Sequence, residues 1–370
     1  MSGGVDSTLT ALLLKEHGCK VIGATMSMWN NQYNIKSTGI RRSCYSPDEQ
    51  VDIDACKKFC NENNIEYYII DVSNIYNDEV LNYFNFEYLN GNTPNPCIKC
   101  NEFVKFGAFI DGINKLKIEF DYFCTGHYAK LIKPKISIGE IFGDVNNGIY
   151  PIMIKNANDI TKDQTYFLYR INQHVLNKVR FPLGNLTKKQ VYELANERNL
   201  ISAKKKESQD FIPKDIIKII FKDESKIGNI IDLETNKVIG KHRGLKYYTI
   251  GQRKGIGLVS KSCNSYYVYK IDAENNSIVV SNKSKMLIDS IIISNTKFNG
   301  NYHPTKMFYG NVKYRSGCNY YNGIIEYIDN DFYKITFDIQ CLPVGIGQSL
   351  VIYINNIIVG GGFVKENHYI

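Results

Sequence analysis

The sequence predicts an α/β protein: a doubly wound parallel sheet followed by two small β-rich domains, the last of them a β-barrel. Three observations carry this reading. Strand and helix patterns alternate from the start of the chain to about residue 130. A glycine-rich turn, Ser2 to Ser7, runs straight into the apolar helix pattern Leu9 to Lys15. From about residue 228 the chain turns into short strands broken by Gly and Asn.

Taken in order, Val21 to Ser27 reads as a strand, and Asp48 to Asn63 as a helix with Val51, Ala55, Lys58 and Phe59 at helical spacing. Glu66 to Val72 is the next strand, Ile75 to Leu89 and Glu102 to Leu116 are helices, and Asp121 to Thr125 is a third strand. Helices continue over Gln164 to Asn177 and Thr187 to Asn199. The later strands are Tyr266 to Ile271, Ser277 to Val280, Gly310 to Tyr314, Gly323 to Ile328, Phe332 to Phe337 and Ser349 to Ile354. The expected domains are 1–206, 207–283 and 284–370.

Composition narrows the class. The 370 residues exceed one ordinary domain, and 44% apolar residues suffice for real cores. No apolar run approaches a membrane span. Met1 leads directly into the glycine turn, which predicts no secretory leader. Ten cysteines in a chain of this size point to a reduced, cytoplasmic setting, where clustered thiols serve metals or catalysis. A net charge of +8 permits an RNA partner without demanding one.

Ser2, Gly3, Gly4, Val5, Asp6 and Ser7 form a loop whose backbone N–H groups can close around phosphate, aided by the following helix N-terminus. Asp6 can hold Mg2+ or orient the loop. The Gly-Lys-Ser/Thr of a Walker loop is missing. Such loops usually follow a buried strand. None precedes this one: either Met1 is an internal methionine taken as the start, which is the expectation, or the strand has been lost.

SGGVDS resembles the pyrophosphate loop of ATP-pyrophosphatases. Further motifs are NGNTPNPCIKCNEFVKFG (Asn90 to Gly107), TGHYA (Thr125 to Ala129), KDQTYFLY (Lys162 to Tyr169), FPLGNLTKKQVYELA (Phe181 to Ala195), GLKYYTIGQRKGIG (Gly244 to Gly257) and the closing GQSLVIY. In order and spacing they resemble the tRNA-specific 2-thiouridylase family over essentially the whole chain. The resemblance implies an adenine nucleotide alpha hydrolase-like fold, ATP and Mg2+ as cofactors, and tRNA as partner through the anticodon stem-loop of wobble-uridine tRNAs. ATP would adenylate the C2 oxygen of the uridine, and sulfur would then displace AMP.

By the same resemblance, Ser2 to Ser7 bind pyrophosphate, and Met26 and Gly126 border adenine and ribose. Asn95, Pro96 and Cys97 match the stretch on the target base, and Cys100 matches the catalytic cysteine. Lys162, Asp163, Gln164, Lys313 and Tyr314 match tRNA-contacting segments, with Lys313 in place of the usual Arg. His127 neighbours the ATP contact, in a structural or a chemical role.

Two departures matter. The family form has Asp where Cys97 stands, and a second, persulfide-carrying cysteine in a Ser-x-x-Ile-Cys-Phe-Ile segment. Here that segment, Lys205 to Pro213, holds no cysteine. Cys44, in the loop after the strand carrying Met26, would open at the same sheet edge as Cys97 and Cys100. Three thiolates leave one iron of a [4Fe-4S] cluster open to sulfide, an arrangement similar to iron–sulfur-dependent tRNA thiolases. A Cys97–Cys100 disulfide or persulfide, a structural zinc and an inert substitution remain open beside it. The sulfur donor is a desulfurase relay or sulfide. Cys56 and Cys60, four apart on one helix, read as packing. Two other functions compete: an amidating ATP-pyrophosphatase, and an inactive tRNA-binding protein.

Overall fold

Leu- and Ala-rich sequence directly after the glycine turn forms helix α1, Val5–Glu16, whose buried face carries Val5, Leu9 and Ala11. It ends where Gly18 adopts φ +82° and the N–H groups of His17, Gly18 and Cys19 turn back onto the last carbonyls. Strand β1, Ile22–Ser27, follows, then helix α2, Glu49–Glu62, and strand β2, Glu66–Asp71. β1 and β2 pair in parallel from Ile22 opposite Glu66 to Ser27 opposite Asp71. The computed structural model describes residues 1–30, 33, 35–39, 43–143, 148–204, 211–212, 226–258 and 265–370.

These residues fall into two units. The first comprises Met1–Leu81, Pro96–Pro134 and Ile152–Lys222. Besides β1 and β2 it holds strand β3, Phe123–Cys124, strand β4, Ala129–Ile132, strand β5, Met153–Asn156, and strand β6, Val179–Arg180. β3 pairs in parallel with β6, and β4 pairs antiparallel with β5. Among the described residues of this unit the parallel strands thus form two pairs. Met1 lies along β1: its amino group donates to the Ala24 carbonyl and the Thr25 hydroxyl donates to the Met1 carbonyl. One core joins Val5, Leu9, Tyr128, Leu183, Val191 and Ala195, tying α1 to the helix Lys188–Glu197. Cys56 and Cys60 are fully buried on α2, as packing residues.

Three helices differ from expectation, and Ile75 to Leu89 is one, running as Ser73–Tyr76, a π-helix over Asn77–Asn82 and Tyr83–Leu89. The segment Glu102 to Leu116 is not one α-helix. It starts at Pro96–Lys99, runs as a π-helix over Cys100–Ala108, and kinks at Gly107 before Phe109–Lys115. Gln164 to Asn177 is not a continuous helix but a 3-10 turn, Thr165–Phe167, and a short helix, Gln173–Leu176. The break has a local cause: Asn172 is extended, with ψ 140°.

The second unit comprises Asn82–Asn95, Lys135–Pro151 and Asp223–Ile370. Its smaller sheet contains β7, Gly228–Asp232, β8, Val238–His242, β9, Tyr267–Asp272, and β10, Ser277–Ser281, in the order β8-β7-β10-β9. Ile230, Tyr248, Val268, Ile278 and Val280 fill its core. The rest is a barrel of β11, Ile288–Phe298, β12, Phe308–Lys313, β13, Tyr321–Asp329, β14, Phe332–Cys341, β15, Ser349–Ile354, and β16, Ile357–Tyr369. The order β11-β14-β13-β12-β15-β16 closes because β16 pairs back onto β11. Register shifts along the two long strands supply the bend that closure needs. Among the described residues no helix is long and apolar enough to cross a membrane. The expected boundary near residue 206 lies outside the described residues.

Candidate nucleotide and thiol site

The glycine turn builds an anion cradle. Gly3 holds φ +69°, a conformation costly for any residue with a Cβ. Gly4, the residue before α1, is extended and offers no side-chain cap, so the first-turn N–H groups of α1 are left to an outside acceptor. Ser2 and Ser7 frame that end: the Ser2 hydroxyl lies 3.3 Å from Ser7 Oγ, and Ser7 donates to the Gly4 carbonyl. This is the shape and chemistry of a phosphate site, and it fits ATP.

Asp6 is engaged by two side chains. Lys188 Nζ donates to both its carboxylate oxygens, at 2.8 and 2.9 Å, and the Tyr128 hydroxyl donates to Oδ1 at 2.8 Å. Lys188 also lies over the rings of Tyr128 and Tyr192. These contacts of Asp6 tie the start of α1 to Tyr128 and Lys188. Gly126 packs against the same residue: a Cβ there would sit 2.9 Å from the Asp6 carbonyl carbon, so only glycine lets the two backbones meet. Met26, half-buried near the end of β1 opposite Ile70, stands at the same strand end as the loop that follows.

The same unit holds a group of thiols, Cys44, Cys97 and Cys100, around Tyr76. Cys97 lies in the first turn of the short helix Pro96–Lys99, and Cys100 opens the π-helix. Buried Tyr76 feels all three of Cys100, Cys44 and Cys97, and burial with those thiols holds its phenol well above the ordinary range. Cys97 keeps contact with solvent, yet the protein around it desolvates the sulfur. That loss of water, with Cys44 and Cys100 adding and Lys105 opposing, pushes its thiol up to about 12. Burial likewise raises Cys100 to about 11, against the pull of Lys105. None of the three is in a disulfide. They share one recess, but among the described residues no three His, Cys, Asp or Glu side chains approach closely enough to hold a metal. The cluster geometry expected of Cys44, Cys97 and Cys100 is therefore not formed in this arrangement.

Sequence reasoning missed the aromatic wall of the recess. Trp29 contacts Tyr45 with ring centroids 4.8 Å apart, and Tyr45 stacks on Tyr76 at 5.1 Å with 12° between planes. Tyr76 in turn touches Phe211, and the Tyr45 N–H donates to the Phe211 carbonyl. Of the segment Lys205 to Pro213, only Phe211 and Ile212 are described, and they dock beside Cys44. It also missed Lys105 and its contact with His127. The Lys105 ammonium is 3.3 Å from Nε2 of His127, whose Nδ1 is 2.8 Å from Thr125 Oγ1. Burial first, then Lys105, holds the imidazole well below its usual range, so it is neutral.

The remaining expected residues are placed as follows. Asn95 belongs to the second unit, where its amide donates to Gln348 at 3.4 Å, while Pro96 and Cys97 belong to the first. The Asp163 carboxylate accepts from the N–H groups of Ala157 and Thr165. Gln164 accepts from the Tyr128 N–H. Both side chains brace their own loop, beside half-buried Lys162. In the barrel Lys313 is buried, its ammonium 4.5 Å from the Tyr320 ring centre, and buried Tyr314 donates to the Tyr321 hydroxyl at 3.0 Å.

Residues 1–214 match the family model described as tRNA methyl transferase HUP domain. Residues 214–282 match a tRNA methyl transferase PRC-barrel domain, and 288–364 an aminomethyltransferase beta-barrel domain. The tRNA-specific 2-thiouridylase MnmA of Endomicrobium trichonymphae is 36% identical over 364 residues, 98% of this chain and 97% of that protein. The protein of the same name from Carboxydothermus hydrogenoformans is 34% identical, covering 99% and 96% of the two chains. That of Mycoplasma capricolum is 36% identical, covering 99% and 97%. Similarity at that level along the whole length, in a chain whose first unit holds both the glycine turn and these thiols, places this chain in the tRNA-specific 2-thiouridylase family.

Proposed function

We propose that this enzyme thiolates the wobble uridine of tRNA at C2 by way of an adenylated base. The observation that carries the reading is the phosphate cradle, Ser2 to Ser7, lying in the same unit as the recessed Cys97 and Cys100. In the first step the uridine O2 attacks the α-phosphorus of ATP. An O–P bond forms, the bond to the bridging oxygen breaks, pyrophosphate leaves with the electron pair, and the N3 proton is lost. In the second step hydrosulfide attacks C2, AMP leaves with the C2–O electron pair, and the sulfur proton passes to N3. An amide-like oxygen is a poor leaving group until it carries phosphate, which is why ATP is needed.

Ser2 to Ser7 and the α1 N-terminus hold the β and γ phosphates, with Met26 and Gly126 at adenine and ribose. Mg2+, when bound, would offset phosphate charge, and Asp6, now paired with Lys188, is the carboxylate of this loop that would hold it. Asn95, Pro96 and Cys97 receive the flipped base, and Cys100 is the sulfur-handling thiol. Lys162, Asp163, Gln164, Lys313 and Tyr314 belong to the tRNA-binding segments. The domains are 1–206, 207–283 and 284–370, and the enzyme works in the cytoplasm with sulfide or a desulfurase relay as donor.

With no cysteine in the described part of the second segment, a [4Fe-4S] cluster on Cys44, Cys97 and Cys100 is the group whose chemistry suits this donor set. Bound there, it would supply sulfide at an iron without a protein ligand. The thiols would have to draw together to hold it. Anaerobically prepared protein is expected to carry iron and labile sulfide, both lost in Cys44→Ala. Metal-free protein with full thiolation would exclude the cluster. The activity itself is tested by pyrophosphate release from ATP with a wobble-uridine tRNA and sulfide. Release that depends on a carboxylate and ammonia instead of tRNA would favour an amidating synthetase. No release at all would favour an inactive tRNA binder.

A further inference from the structure

Lys105 stands on the π-helix Cys100–Ala108, whose i to i+5 repeat sets it on the same face as Cys100, one turn along. Its ammonium is half-buried, and its hydrogen-bond partner is the neutral Nε2 of His127 at 3.3 Å. That nitrogen accepts from Lys105, so Nδ1–H of the ring donates to Thr125 Oγ1. No carboxylate among the described residues pairs with Lys105. Lys188, by contrast, is fully engaged by Asp6. A recessed ammonium resting on a neutral imidazole is a cation without its anion.

Its surroundings say which anion fits. On one side the charge of Lys105 reaches the Cys97 and Cys100 thiols. On the other its partner His127 adjoins Gly126 at the phosphate loop. Gly126, next to His127, presses on the backbone of Asp6 in that loop. An in-line displacement puts the α-phosphorus between the departing pyrophosphate and the attacking uridine oxygen, which itself must lie near the sulfur source.

We propose that Lys105 is a further catalytic residue whose ammonium contacts the α-phosphate of ATP and then the phosphate of the adenylated uridine, an inference that rests on the adenylation reading above. As the O2–P bond forms and the bond to pyrophosphate breaks, negative charge is redistributed over the phosphoryl oxygens, and a fixed ammonium stabilises it without reorganising. In the second step the same contact stabilises AMP as it leaves with the C2–O electron pair. Lys105 gives up no proton in either step.

The test uses the full chain with ATP, sulfide and a wobble-uridine tRNA transcript, reading pyrophosphate release. Lys105→Met is expected to lower kcat about 100-fold while the ATP KM moves less than about threefold. Lys105→Arg, keeping the charge, is expected to recover at least about a tenth of the wild-type rate. Lys189→Met, on an exposed face, leaves both constants unchanged. Urea midpoints report folding. If Lys105→Met is unstable, the comparison passes to Lys105→Gln against Lys105→Arg, and equal rates overturn the proposal. So does a stable Lys105→Met that keeps more than about a third of wild-type kcat, or one whose loss lies in the ATP KM alone. A wild-type protein that releases no pyrophosphate with tRNA overturns the adenylation reading itself, a result distinct from any effect of Lys105.

Discussion

Gly126 and His127 are adjacent, and each does one physical job. Gly126 lets the TGHYA turn touch the phosphate loop. Gly126→Ala forces a Cβ to within 2.9 Å of the Asp6 backbone, and the loop has to yield. ATP affinity, measured by calorimetry, is expected to fall at least about tenfold, the loss of a positioned anion site, with the urea midpoint moving little. His127 gives a pH signature. Its folded pKa lies well below the unfolded value of 6.5 because burial, and then Lys105, penalise the imidazolium. Between the two values the unfolded chain binds more protons, so this contribution is intact above pH 6.5 and is lost as the pH falls below it. The loss approaches about 1.4 kcal/mol per pH unit for one proton. Urea unfolding at pH 7 and pH 5 should show a smaller drop for His127→Gln than for wild type, and equal drops would contradict the assignment. The sequence marked Gly126 and His127 as neighbours of the nucleotide but could not say why glycine is required. The answer involves Asp6, 120 positions away in the chain, and the lock on Asp6 comes from Lys188, further still.

The π-helix Cys100–Ala108 is the element on which the site depends. It carries Cys100 and Lys105 on one face and is pinned from behind by Glu102, whose carboxylate meets the Arg170 Nε at 2.5 Å with both side chains buried. Removing one partner of such a pair leaves a buried charge, so Glu102→Gln is expected to cost about 3–5 kcal/mol in urea unfolding. Glu102→Gln with Arg170→Met should recover part of it, and a single variant within about 1 kcal/mol of wild type would show the pair to be dispensable. The apolar spacing of Glu102 to Leu116 announced a helix correctly. It could not announce a π register, because one extra residue per turn is invisible in a pattern only two turns long. Gln164 to Asn177 failed for a related reason. Its residues favour helix locally, but an extended Asn172 interrupts it, and the Asp163 carboxylate and Gln164 side chain are held by N–H groups of Ala157, Thr165 and Tyr128.

At the scale of the molecule, the order of motifs made the family readable, and the strand spacing made the β-rich second half readable. The closing strand of the barrel, β16, was not, since Gly360, Gly361 and Gly362 read as turn rather than strand. The docking of Phe211 and Ile212 beside Cys44 was equally hidden. It sets Cys44 next to the segment in which the family form keeps its second cysteine, and gives the altered thiol set a physical location. The central claim is that this thiol recess, fed by the phosphate cradle, puts sulfur on the wobble uridine. Mass spectrometry of tRNA nucleosides from cells lacking their own 2-thiouridylase, supplied with this gene, tests it most directly. The account predicts 2-thiouridine with the wild-type chain and none with Cys100→Ser. Wild-type levels of 2-thiouridine with Cys100→Ser, or none with the wild-type chain, would contradict it.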